Sequence, residues 1–297
     1  MKFKYKALIY VAILVCVWQM LAGCQAEQKD TSYESYVTSV SNGEAGISTI
    51  GTLWPAPDLA YDKSQKGTSN SCEFMGRHYT GEYSGSTPKM FTPEIYNAYM
   101  TSDGIVFYLD RETNALRILD LKNDDFYDAE RHLEDVDDPE GTAIAVATEI
   151  AERYIRPSDY ERTVERKIYS EGTEEERDTY SVYFKKYIQG YSTSECFTVR
   201  VTSKGTVSVV LWDCLGGFDD ISVEIDKQKV NSSVMARIEE EYSKTSYTVL
   251  QAEIASQILA RTQADDAGIY SEVHLTLQRG NATYSSAVGV FTYLPNA

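Results

Sequence analysis

The sequence predicts an α+β fold in which two successive modules each place one helix on an antiparallel β-sheet, after a small N-terminal β unit. Two observations predict this class. A capped amphipathic helix followed by several strands occurs twice along the chain, and a series of short β-rich segments precedes the first of these helices. The repetition concerns only the order of the elements. The predicted boundaries are 1–23, 24–52, 53–137, 138–219 and 220–297.

The first segment, residues 1–23, has the features of a bacterial lipoprotein signal. Lys2, Lys4 and Lys6 precede a short apolar run, and Leu21-Ala22-Gly23 lies directly before Cys24. A transmembrane helix is the alternative, but the run falls short of the ~20 apolar residues that span a bilayer and contains Gln19. Cys24 is therefore the predicted lipidation site and the first residue of the mature chain.

The charge of the chain limits its partners. The formal net charge is −17, and loss of the lysines in the signal makes the mature chain still more negative. Such a surface repels nucleic acid and anionic lipid headgroups, so the only predicted membrane contact is the lipid anchor. The expected location is the outer, extracytoplasmic face of the cell membrane. Residues 24–52 are polar and predict a flexible tether, and the protein is expected to be a monomer.

The N-terminal β unit is predicted from residues 77–83, 95–100, 105–109 and 116–119, which are rich in β-formers, with turns between the last three. An acidic linker leads to the first helix. Asp138 is suited to cap this helix, Pro139 suits its first position, and Pro157 follows its end. Strands are then predicted at about 179–188, 191–201 and 206–212.

The second module begins with a helix capped by Asn231 or Ser232, whose predicted apolar side contains Val234, Met235, Ile238 and Tyr242. Strands are predicted near 247–254, 258–262, 269–277 and 282–293.

Two turns predict the register of the first module. A two-residue turn at Gln189-Gly190 places Val182 opposite Phe197, and a three-residue loop ending at Gly205 places Phe197 opposite Leu211. This register predicts one apolar face, covered by the first helix. Its members are Tyr180, Val182, Phe184, Phe197, Val199, Val201, Val207, Val209 and Leu211.

The opposite face of these strands is predicted to carry an outward aromatic surface, formed by Tyr183, Tyr187, Cys196 and Trp212. Two interpretations are open: the neighbouring module docks there, or the surface recognises a peptide or glycan. The register also places Cys196 opposite Trp212. We therefore expect no disulfide between Cys196 and Cys214, whereas pairing of Cys72 is left open.

The sequence contains few features of a catalytic site, so we expect that the protein is not an enzyme. The chain contains three histidines, His78, His132 and His274, and no nucleophile elbow, zinc-protease motif or phosphate-binding loop. The acidic stretch 124–140 does not fit a calcium loop, so no metal site and no cofactor is predicted, with weak calcium binding as an alternative. A hydrolase would require His78 or His274 beside Cys72, a serine or a carboxylate in a cleft.

A resemblance to a known family rests on residues 138–215. The helix over 142–155 precedes two glycine-containing hairpins of alternating apolar residues, and this pattern resembles the PepSY and FTP propeptide modules of secreted bacterial metallopeptidases. The stretch 102–110 is similar to the same group. The whole layout also resembles lipoproteins of gut Firmicutes. The residues that carry the pattern are Tyr180, Val182, Phe184, Ile188, Gly190, Thr193, Phe197, Val199, Val201, Gly205 and Val207.

This resemblance implies a cystatin-like fold for each module and a role in binding or restraining another protein. In that family the modules often precede a peptidase domain, whereas no peptidase sequence is found in this chain. We therefore expect a free-standing, non-catalytic lipoprotein that binds another extracytoplasmic protein, of which a peptidase is one class. A binding protein for a small ligand, a glycan or calcium at a module interface is the alternative.

Overall fold

The computed structural model describes residues 32–41, 53, 63–121, 133, 136–169 and 177–295. Within these ranges, thirteen strands join into one mixed sheet. They are β1 Ser35–Ser41, β2 Ser69–Phe74, β3 Arg77–Pro88, β4 Ile95–Met100, β5 Val106–Asp110, β6 Leu116–Asp120, β7 Glu161–Tyr169, β8 Arg177–Ile188, β9 Tyr191–Thr202, β10 Val207–Asp213, β11 Thr248–Arg261, β12 Ala267–Arg279 and β13 Ala282–Tyr293. The main path runs β1-β13-β12-β11-β9-β10-β6-β5-β4-β3-β2, and β8 joins β7 to the other edge of β9.

The predicted fold class, tandem cystatin-like modules after a small β unit, is wrong. Strand β10 pairs with β6, so the N-terminal strands continue the sheet of the middle region. Strand β9 also pairs in parallel with β11, through Ser192 and Thr193 opposite Ile258 and Leu259. Each strand has two edges, and the alternation of apolar residues reports which face is buried but not which strand lies at each edge. The predicted modules therefore merge into one sheet.

The two helices of the described residues lie on different parts of this sheet. Helix α1, Pro139–Ala151, is capped as predicted, since the Asp138 side chain accepts a hydrogen bond from the Gly141 amide at 2.9 Å. It packs on β8 and β9. Helix α2, Lys227–Ser243, starts earlier than predicted, with Asp226 as its cap, and packs on β1, β11 and β13.

Each helix covers its own hydrophobic cluster. The cluster under α1 contains Val146 and Ile150 of the helix with Phe184, Phe197 and Trp212 of the strands. The cluster under α2 contains Val234 and Ile238 of the helix together with side chains of β11, β12 and β13. The sheet is therefore continuous, but its two halves are stabilised by separate cores.

The predicted strands at 77–83, 95–100 and 116–119 are confirmed in β3, β4 and β6. The predicted hairpin strands at 179–188 and 191–201 are confirmed in β8 and β9. Three strands were not predicted: β1, β2 and β7. Strand β1 lies within the predicted tether, where Val37 is fully buried against the sheet. Strand β11 is continuous where two strands were predicted, because its register shifts allow it to bend without ending.

Two irregularities change the predicted register of β8, β9 and β10. Between β8 and β9 the pairing shifts after Lys185, so Cys196 lies opposite Lys185 and Tyr183 lies opposite Thr198. The hairpin turn itself forms at the predicted place, with Gln189 and Gly190 both at positive φ. A shift by two residues changes the partners but keeps each side chain on its face.

The irregularity between β9 and β10 has a larger effect. Val207 pairs with Val201 as predicted, but Val209 pairs with Arg200, so a bulge places one extra residue in β10. A shift of one residue exchanges the two faces of a strand. Val210 and Trp212 therefore enter the core, whereas Val209 and Leu211, which were predicted to be core residues, lie half-buried on the opposite face.

Candidate binding sites

The four residues of the predicted aromatic surface are not on one surface. Tyr183 is half-buried and its hydroxyl donates to Glu165 Oε2 at 2.9 Å, whereas Tyr187 is 44% exposed near the hairpin end. Cys196 is buried, and burial raises the pKa of its thiol. Trp212 is also buried. The prediction of an outward surface that includes Cys196 and Trp212 is therefore wrong.

Trp212 is part of an aromatic cluster under α1. Its ring meets those of Phe74, Tyr154 and Phe197 edge to face, with centroids 5.6, 5.2 and 5.5 Å away. Such T-shaped contacts add to the stabilisation from burial. Trp212 therefore fills the core between Phe74, the last residue of β2, and Tyr154, which follows α1.

A different row of side chains occupies the sheet face turned away from α1. The pairings of six neighbouring strands place these residues side by side, and all but Ala98 are half-buried rather than enclosed. Within the described residues, α1 packs on the other face of β8 and β9, and α2 packs on β1, β11 and β13. We call this row the open face; its members are Ala98, Tyr108, Ile118, Leu211, Thr198 and Tyr183.

Of this row, the alternation in the sequence places Tyr183 and Thr198 on the correct face. The alternation in Val106-Phe107-Tyr108 is visible in the sequence, but the pairing of β6 with β10 is not. Leu211 reaches the row only because of the bulge in β10.

A cluster of charged groups borders the open face where the β3–β4 loop crosses the sheet. The buried Tyr96 hydroxyl bonds to Glu94 and lies 2.9 Å from Asp213 Oδ1. Arg117 approaches Glu94 to 2.6 Å and Lys89 approaches Asp213 to 3.1 Å. Burial raises the pKa of Glu94, and the hydrogen bond from Tyr96 and the positive charge of Arg117 offset only part of this effect.

A second polar cluster lies on the α1 side, where β8 and β9 lose their regular pairing. The Tyr160 hydroxyl donates to Glu195 Oε1 at 2.6 Å, and Lys186 Nζ lies 3.4 Å from Glu195 Oε2 and contacts Asp219. Burial alone would lower the pKa of Lys186, but Asp219 and Glu195 more than offset it, so the pKa is raised. Because Glu195 is almost completely buried, this cluster ties elements together and exposes little reactive surface.

A groove of about 460 Å³ opens between the second half of α2 and the start of β11. We call it the α2 groove. Its lining residues are Met235, Ile238, Glu239, Tyr242, Ser243, Tyr247, Thr248, Val249 and Ala252. The Tyr242 hydroxyl in its wall is buried and makes no hydrogen bond of good geometry within the described residues, although the Ser286 side chain lies near it. Burial raises the pKa of Tyr242 to about 12, an effect that the Ser286 side chain moderates.

The residues considered for catalysis lie apart. His78 is exposed, 3.7 Å from Glu73, and His274 is exposed, 3.0 Å from Glu272. His274 belongs to a shallow polar depression of about 380 Å³ on the face of β11–β13 turned away from α2. Cys72, Cys196 and Cys214 are free thiols. In the described ranges, no group of three or more His, Cys, Asp or Glu side chains could hold a metal ion.

Several predicted features lie outside the described residues: the signal 1–23, the lipidation site Cys24, His132 and most of the acidic linker. Of the linker, Asp138 acts as the α1 cap. Within the part of the chain that is described, no helix combines the length and the apolar character needed to cross a membrane.

Comparison of the chain with protein-family models, curated proteins and solved structures yields no match.

Proposed function

We propose that this protein is a non-catalytic lipoprotein, anchored through Cys24 to the outer face of the cell membrane, that binds another extracytoplasmic protein. The observation that carries this proposal is the open face: a row of mostly half-buried side chains across six strands, with α1 on the opposite face and α2 on other strands. The anchor rests on the lipoprotein signal in the sequence.

The dimensions of the open face suit a protein partner. Neighbouring strands lie about 4.8 Å apart, so a row across six strands extends roughly 24 Å. A standard interface buries about 800 Å² on each partner, which corresponds to a patch of roughly 28 Å across. The residues at the centre of the row, Ile118 and Leu211, are apolar, and Tyr108 and Tyr183 flank them. An apolar centre with tyrosines is the composition expected of an interface core.

Polar groups around this row fit the rim of an interface. Arg200 and Asp120 occupy neighbouring positions beside Val209 in the adjacent row, and Glu165 accepts from Tyr183. A rim of this kind remains hydrated and contributes more to specificity than to affinity. The partner would therefore present an apolar patch surrounded by charges of both signs. A peptidase is the class of partner that the PepSY and FTP resemblance implies.

Site-specific photocrosslinking tests this proposal. A photoreactive phenylalanine analogue is placed at Tyr183 or Leu211 of the full lipoprotein in membranes of its native host, with exposed Ala145 on α1 as the matched control. We expect Tyr183 and Leu211 to crosslink to the same protein and Ala145 not to do so. The identified partner is then purified, and Tyr183→Ala should weaken its binding without lowering the melting temperature substantially.

Equal crosslinking from Ala145, or unchanged affinity of the purified partner for both Tyr183→Ala and Leu211→Asp, would exclude the open face as the binding surface.

A small-ligand binding protein is the second candidate function. The α2 groove favours it, because its volume lies within the range of about 300–1,000 Å³ that is typical of ligand sites.

A further inference from the structure

The α2 groove combines an apolar floor with an acidic rim. Met235 and Ile238 of the helix face Val249 and Ala252 of β11, and Glu239 stands at the edge. None of the lining residues is a lysine, arginine or histidine. The α2 groove and the open face lie on different parts of the sheet. The groove is therefore separate from the surface proposed for a protein partner.

Among the glutamates of α2, Glu239 is the one that forms no ion pair with Arg237 or Lys244. Arg237 binds Glu240 and Glu241, at 2.8 and 2.5 Å. Lys244 approaches the same two carboxylates, at 2.9 and 3.5 Å. Within the described residues Glu239 forms no ion pair. Its charge is therefore directed to the solvent and to anything that enters the groove.

The aromatic part of the wall is already in contact with other side chains. Tyr242 and Tyr247 line the groove, and Tyr247 makes an edge-to-face contact with the exposed Tyr284. The Arg279 guanidinium already lies 5.4 Å from the centre of the Tyr247 ring, although Arg279 is not part of the lining. Arg279 already occupies the face of Tyr247 and the Tyr242 side chain is buried, so the preference of the groove for a cation rests on Glu239.

We propose that the α2 groove binds a small organic cation, a primary amine carried on an apolar body. The body would cover the floor at Ile238, Val249 and Ala252, and the ammonium group would meet Glu239 at the rim. Burial of apolar ligand surface supplies most of the affinity, because a partly exposed ion pair contributes about 1 kcal/mol or less. The charge therefore decides which apolar ligand is preferred. An acid of the same shape would be repelled by Glu239 and by the net charge of −17 on the protein.

Three matched probes test this inference: 4-phenylbutylamine, 4-phenylbutan-1-ol and 4-phenylbutanoate. Binding is measured by isothermal titration calorimetry on the full chain in lipid nanodiscs. Identical nanodiscs that carry Ala252→Trp, which fills the groove, serve as the blank and correct for partition into lipid. We expect the amine to bind tightest, the alcohol roughly fivefold weaker, and the acid weaker again.

The exposed position of Glu239 makes Glu239→Gln a variant that should fold normally. It should reduce the affinity for the amine to that for the alcohol and leave the alcohol unchanged. If the acid binds wild type as tightly as the amine does, the cation preference is wrong. If none of the probes distinguishes wild type from Ala252→Trp, the groove is not a ligand site. Crosslinking at the open face is independent of either result.

Discussion

Trp212 lies directly opposite Phe197 across β9 and β10, with the two ring centroids 5.5 Å apart and the ring planes nearly perpendicular. Regular alternation through Ser208 would have placed Leu211 at that position and Trp212 on the outer face. The bulge between Val207 and Val209 therefore decides which of the two side chains fills the core.

Trp212→Ala should lower the free energy of unfolding by about 3–5 kcal/mol, because it removes a large buried side chain and leaves a cavity. Leu211→Ala, on the half-buried face of the same strand, should cost about 1 kcal/mol. Urea unfolding followed by far-ultraviolet circular dichroism measures both values. Equal losses for the two variants would contradict this register of β9 and β10.

The same substitution, tyrosine to phenylalanine, should have opposite effects at two positions. The Tyr242 hydroxyl is buried and makes no hydrogen bond of good geometry among the described residues, so Tyr242→Phe should leave stability unchanged or raise it by about 1 kcal/mol. The Tyr160 hydroxyl donates to the buried Glu195 carboxylate at 2.6 Å, so Tyr160→Phe should lower stability by about 1.5–3 kcal/mol. Thermal and urea unfolding distinguish them, and destabilisation by Tyr242→Phe would show that its hydroxyl is bonded.

Glu94 should make stability depend on pH in the direction opposite to a surface carboxylate. Its pKa in the folded protein is raised above 4.5, first by burial. Between pH 4.5 and the pKa in the folded protein, the folded state holds more protons at Glu94 than the unfolded state does. The contribution of Glu94 to stability therefore falls as pH rises through the folded pKa. Glu94→Gln cannot titrate. Its stability relative to wild type should therefore be higher at pH 7 than at pH 4, and a difference of the opposite sign would contradict the raised pKa.

The cysteines Cys72 and Cys214 should react slowly in the folded protein. Burial raises the pKa of each thiol to about 12, with nearby carboxylates adding to the effect at Cys214. At pH 8 such a thiol is ionised in roughly one molecule in ten thousand, against about a quarter for an ordinary cysteine. Iodoacetamide labelling read by mass spectrometry should therefore be slow until urea is added. Rapid labelling of Cys214 without urea would contradict its burial.

Local signals in the chain predicted individual elements well. Asp138 and Pro139 mark the start of α1, Gln189-Gly190 forms the hairpin turn, and Gly205 adopts the positive φ that its loop requires. These features depend on the preferences of a few neighbouring residues, which are present in the sequence itself.

The start of α2 shows where such signals are insufficient. Asn231 and Ser232 are good caps, yet the helix begins at Lys227 after Asp226, because Val230 is buried in the core and extends the apolar side by one turn. Strand β1 was missed for a related reason: its polar sequence predicts a tether, but Val37 gains a fully buried place beside β13.

The amino-acid sequence alone determined the strands and helices with strong local patterns, the turns between them, and the acidic character of the chain. Only the tertiary structure decided that the strands join into one sheet, that Trp212 turns inward, and that Leu211 turns out. The reason is that edge pairing and bulges gain their stability from distant partners. A bulge in β10 is stabilised when Phe197, Tyr154 and Phe74 surround Trp212, and no local pattern encodes that arrangement.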